Sequence, residues 1–81
     1  MDTITYGVDV KLYDRGYWSR PFIYLSKEAF KKGDVVLVHV QGFMAVGKVV
    51  RCADVDFFEL KPEVVYKNVI MKLELPDETT G

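Results

Sequence analysis

Alternating apolar and polar residues predict an all-β fold for this chain. Three observations carry the prediction: period-two patterning near both ends, glycine-centred turn signals between the patterned segments, and no long run with helical periodicity. Ile4, Tyr6, Val8, Val10 and Leu12 fall on one face of the first segment, with Thr5, Gly7, Asp9 and Lys11 on the other. Such alternation is the mark of a half-buried strand. Asp14-Arg15-Gly16 supplies turn chemistry, with Gly16 free to take a positive φ. Tyr17 to Leu25 resumes an extended pattern, and Pro21 within it predicts an edge strand or a break, because proline donates nothing to a ladder.

Ser26 to Phe30 has room for one short helical turn capped by Ser26. Lys32-Gly33-Asp34 then turns the chain into Val35 to Val40, whose continuous apolar run predicts a strand packed on both faces. Gln41-Gly42 is a hairpin signal, and Phe43 to Cys52 is the returning strand. Gly47 inside it marks an expected bulge or sharp bend. Asp54 to Pro62 reads as a loop anchored by Phe57, Phe58 and Leu60, and residues 68–75 alternate again. Residues 1–75 therefore form one expected domain, a compact barrel or sheet sandwich of five or six short strands, with 76–81 as a frayed tail.

Bulk composition narrows the function classes. Eighty-one residues make one domain with a thin core, and a 49% hydrophobic share excludes a disordered chain. No apolar run approaches the roughly 18 residues of a membrane-spanning helix, so no membrane role is expected. A lone cysteine forms no internal disulfide and no cysteine-cluster zinc site, which fits a reducing, cytoplasmic setting. Eleven basic residues are matched by 12 acidic ones and are scattered along the chain. That balance argues against tight, nonspecific grip on duplex DNA, which calls for a concentrated basic face.

Reactive chemistry is sparse. His39 and Cys52, the sole histidine and cysteine, can face each other across one hairpin as an imidazole–thiolate pair, or can serve as filler in apolar strands. Asp54 and Asp56 can share a side, but a cation needs further oxygen ligands. No phosphate-cradling glycine loop or Ser/His/Asp set is present. The expectation is a non-enzymatic protein with no catalytic residues, no metal and no cofactor. A richer signal comes from Tyr13, Tyr17, Trp18, Phe22 and Tyr24, interleaved with Arg15 and Arg20. Single-strand binders combine rings for bases with cations for phosphates, whereas a small barrel also uses rings to fill its core and rim.

The series Arg20-Pro21-Phe22-Ile23-Tyr24-Leu25-Ser26, then Lys32-Gly33-Asp34-Val35-Val36 through Val40-Gln41-Gly42, then Val46-Gly47-Lys48-Val49-Val50 and Leu60-Lys61-Pro62, resembles a known pattern. It is similar to the N-terminal DNA-binding domain of primosomal protein N′, the replication-restart helicase, over about Val8 to Val65. The resemblance implies a small SH3-like or OB-like barrel that meets the 3′ end of a DNA strand. Phe22 would stack on the terminal base, Gly42 would let the polypeptide backbone approach that base, and Lys61 would meet the nearby DNA backbone. The family carries aspartate where Ile23 stands, so its polar contact to the terminal nucleotide has no counterpart here. Stand-alone barrels of this kind look like small proteins of phages and other mobile elements. Tyr17, Trp18, Arg20, Phe22, Ile23, Gly42 and Lys61 are thus the candidate nucleic-acid-binding residues. The expected partners are single-stranded DNA or DNA 3′ ends. Alternatives are a host protein bound or inhibited by the module, and a second copy paired through an edge strand.

Overall fold

The computed structural model describes residues 4–74. They form one antiparallel sheet of five strands: β1 (Tyr6–Asp14), β2 (Tyr17–Ser26), β3 (Val35–Val40), β4 (Phe43–Asp54) and β5 (Val69–Lys72), in the spatial order β2-β1-β4-β3-β5. The all-β prediction holds, and the turns sit where their residues placed them. Arg15 and Gly16 take φ of 51° and 87°, and Gln41 and Gly42 take 45° and 89°, the paired positive values a type I′ hairpin requires.

One face of the sheet is the core. Val8, Val10, Val36, Val38 and Val49 are essentially inaccessible to solvent, and Tyr24 lies beside them. These side chains come from four of the strands, and β-branched valine suits a strongly curved pleat with little room inside. Gly47 also faces this core, opposite Leu12 and Val36. A Cβ there would collide with the Val10 side chain and lie 3.0 Å from the Lys11 carbonyl oxygen. The expected bulge at Gly47 is absent; the glycine instead lets β1 and β4 pack closely. Val35 to Val40 is likewise corrected, because only Val36 and Val38 are buried while His39 is exposed on the opposite face.

Three register shifts supply the curvature. Between Lys11 and Tyr13 the β1–β2 ladder gives β2 an extra residue, so Ser19 and Arg20 oppose Leu12 alone. Val50 is the extra residue in β4 and Ile70 in β5. Each bulge bends its strand and adds twist. At the first, the interrupted ladder is repaired by a side chain: Leu12 N–H donates to Ser19 Oγ at 2.9 Å, and that hydroxyl donates to Arg20 O at 2.7 Å.

The two ends of the curled sheet meet at a single parallel bridge, Leu25 with Asn68, where Leu25 N–H donates to Lys67 O at 2.9 Å. Proline-bearing β2 is an end strand, as Pro21 predicts. Ser26 does not cap a helix; its hydroxyl accepts from Glu28 N–H and donates to Glu28 O, holding a bend. After β4, Asp54 caps a three-residue 3₁₀ turn (Val55–Phe57), which drops Phe58 onto Gly7 on the outer face. Arg51 then lies 4.1 Å above the Phe58 ring and is paired with Asp9 at 3.2 Å. Of the expected loop anchors Phe58 is buried, whereas Phe57 is exposed. The predicted tail and Leu75 fall outside the described residues. Among the described residues, no helix is long and apolar enough to cross a membrane.

Candidate functional site

Five of the seven sequence-selected residues lie on β2, and the Ser19–Arg20 bulge divides them. Residues directly opposite across a ladder share a face. Phe22 opposes Val10 and so lies on the core side, at the open mouth of the curled sheet. Trp18 opposes Tyr13, on the outer face that also carries Lys11. An uninterrupted alternation would have set Trp18 and Phe22 on the same face. The extra residue separates them.

On the outer face Trp18 is 46% exposed and meets Tyr13 edge-on, with ring centroids 5.1 Å apart. Lys48 Nζ stands 5.5 Å from the indole centroid. Lys48 is the ladder partner of both Lys11 and Val35. The turn before β3 is tied to β4 by Gly33 N–H to Val49 O and by Val49 N–H to Asp34 O, each 2.8 Å. Those bonds bring Lys32 to the same place. The result is a cleft of about 410 Å³ around Trp18, lined by Lys11, Lys32 and Lys48 together with Gly33, Val49 and Val50. The described ion pairs are Arg15–Asp14, Arg51–Asp9 and Lys72–Asp34, so none of these three lysines has a carboxylate partner among the described residues. Converging unpaired ammonium groups make a local positive field that an anion relieves. A chain of net charge −1 therefore carries a basic site that its overall balance conceals. Lys11, Lys32 and Lys48 went unselected in the sequence because three separate segments deliver them.

Across the edge, Phe22 is 39% exposed and borders a shallower cleft of about 280 Å³ shared with Tyr24, His39, Gln41, Tyr66 and Lys67. The Arg20 guanidinium lies 5.4 Å from the Phe22 ring centroid. Tyr24 OH donates to His39 O at 3.2 Å, fixing β2 to the end of β3, and burial raises its phenol pKa above the usual value. Gln41, the neighbour of Gly42, reaches this cleft, so the Pro-Phe segment and the hairpin turn do meet at one mouth. Gly42 itself is exposed at the tip, with open space where a Cβ would stand. Ile23 borders the cleft along its strand but opposes Asp9, placing its side chain on the face opposite Phe22. Lys61 is exposed and outside the lining; its N–H donates to Tyr66 OH at 2.9 Å, so it positions a cleft residue through its backbone. Tyr17, 78% exposed beside the first turn, belongs to neither cleft.

The remaining candidates are separated. His39 opposes Met44 on the outer face, whereas Cys52 opposes Val8 on the core side and accepts from Phe30 N–H at 3.3 Å. They do not form a pair. Asp54 is occupied in capping, accepting from Asp56 N–H at 2.9 Å. No group of three or more metal-binding side chains occurs among the described residues. Another hollow, about 570 Å³ between residues 26–30 and β5, mixes Lys27 and Lys72 with Glu28 and Glu74 and presents no converging charge. No family model, curated protein or solved structure matches this chain.

Proposed function

We propose that this protein is a non-enzymatic module that binds single-stranded nucleic acid through the outer face of β1, β2 and β4. The observation that carries the reading is the half-exposed Trp18 indole inside a cleft lined by three lysines without acidic partners among the described residues. An unpaired base stacks on an indole, each ammonium group takes a phosphate, and the two contributions require no base-specific hydrogen bond. The resemblance of the Arg20 to Pro62 series to the primosomal domain supports the same ligand class. It places the contact at Phe22, whereas the cations gather at Trp18.

Trp18 is the chain's only tryptophan, so its emission reports this cleft alone. Titration with an unstructured oligonucleotide at low salt is expected to quench that emission, with weaker response to duplex of the same length. Unchanged emission and no retention of labelled oligonucleotide at tens of micromolar protein would rule the reading out.

A second reading, a protein-interaction module for a host factor, has its own observation. Leu37, Val46 and Met71 are ladder neighbours on the outer face of β3, β4 and β5, with Met44 beside them. Val46, Met71 and Met44 are 43%, 53% and 60% exposed, and such contiguous apolar surface often serves a protein partner. Replacing Val46 and Met71 with aspartate separates the two readings: oligonucleotide binding persists under the first, and partner capture is lost under the second.

A further inference from the structure

We infer that a bound single strand crosses the free edge of β2, with one base on Trp18 at the outer face, a later base on Phe22 at the mouth, and Arg20 against the backbone between them. The inference rests on the single-strand reading above and extends it from one cleft to two.

The edge itself is the first argument. β2 ends the sheet, and Leu25 turns its N–H away from β1 toward Lys67 O. The β1–β2 ladder is regular from Lys11–Pro21 to Tyr6–Ser26, so alternation gives Pro21 the same outward direction as Leu25. The missing proline N–H therefore falls on the open edge, where it withholds a donor from any incoming strand. From Tyr17 to Phe22 every residue except Ser19 is exposed. This edge offers an incoming strand one donor fewer, and it presents rings and cations.

The second argument is the facing. The bulge sends Trp18 outward and leaves Phe22 inward, with Arg20 on the Phe22 side, 5.4 Å from the ring centroid. Positive charge continues on both sides, from Lys11, Lys32 and Lys48 around Trp18 to Arg20 and Lys67 around Phe22. The nearby carboxylates are engaged or lie to one side: Asp9 is paired with Arg51, Asp34 with Lys72, and Asp14 lies beyond Trp18, beside Arg15. Four residues of strand set the Trp18 and Phe22 backbone positions at most about 13 Å apart. Two platforms on opposite faces cannot take neighbouring bases of a stacked helix. An unstacked strand can bend around the edge to reach both.

The test uses Trp18 emission with oligothymidylates of two and eight nucleotides, on the wild-type protein and on Phe22→Ala, Phe22→Leu and Arg20→Gln. Phe22→Leu keeps apolar volume at the mouth while removing the stacking face. Both Phe22 variants are expected to lower affinity for the eight-nucleotide strand about tenfold and to leave the dinucleotide unaffected, since it reaches only one platform. Arg20→Gln is expected to weaken the longer strand alone. Equal affinity of wild-type and variants for the longer strand would overturn the two-platform path and leave the Trp18 reading intact. No quenching of the wild-type protein by either ligand would overturn both.

Discussion

The two halves of β2 differ in burial and in how they are paired. From Tyr24 to Ser26 the strand is scaffold: Tyr24 is buried and bonded to His39 O, Leu25 bridges to Lys67, and Ser26 holds the following bend. From Tyr17 to Phe22 the same strand is surface, bulged and open on one side. The first half can therefore carry rings and charge at little cost to the fold, while the second half and its neighbours carry stability. Under the proposed reading, binding and folding are separable along one strand.

The largest effect that would break this division lies in the scaffold. Gly47→Ala drives a methyl group into Val10 and against the β1 backbone, and overpacking of this kind costs about 1–3 kcal/mol. For a domain of this size that lowers the melting temperature by roughly 4–8 °C per kcal/mol, measurable by circular dichroism. Next comes the surface half. Trp18→Ala removes the stacking face and is expected to reduce oligonucleotide affinity about tenfold or more in a filter-binding assay. Its melting temperature should stay within a few degrees of wild type, because the ring is half exposed and its main partner is the edge-on Tyr13. A collapse of the fold in Trp18→Ala would contradict the division.

Ser19→Ala sharpens it, because Ser19 sits where the halves join. Its hydroxyl repairs the bulge, and losing it leaves the Leu12 N–H without its partner at a cost of about 1 kcal/mol. A loosened bulge also releases the outward orientation of Trp18, so binding should weaken beyond what the small stability loss explains. The smallest effect concerns pH. Burial raises the Tyr24 pKa above its value in the unfolded chain. The associated stability is complete below the ordinary tyrosine pKa of about 10 and is lost as pH rises through the folded value. Tyr24→Phe should abolish that part of the alkaline decline in denaturant midpoint, at the expense of the bond to His39.

Much of this scaffold was legible in the residues. Period two fixed β1, Gly16 and Gly42 fixed the hairpins, and Pro21 marked the edge, because each feature has a local backbone cause. The bulges were not legible. Val50 and Ile70 continue an apolar pattern whether or not they are paired, and Ser19 shows its role only once Leu12 lies beside it. One undetected extra residue inverts every facing beyond it. For that reason the aromatic cluster reads as one group in the sequence, whereas Trp18 and Phe22 lie on opposite faces beside separate clefts, with Tyr17 in neither. The lysine cleft was hidden for a different reason: cations far apart in the chain meet only through the β1–β4 ladder and the tie between Gly33 and Val49.

Salt dependence tests the central claim most directly. Single-strand affinity should fall with rising salt at a log–log slope of about −3, the value for four phosphates neutralised by Lys11, Lys32, Lys48 and Arg20. In Lys11→Gln/Lys32→Gln/Lys48→Gln the slope should shrink to about −0.7, the share of Arg20 alone, while the melting temperature holds. A wild-type affinity indifferent to salt, or a slope unchanged in the triple variant, would contradict the assignment of this face as the binding surface.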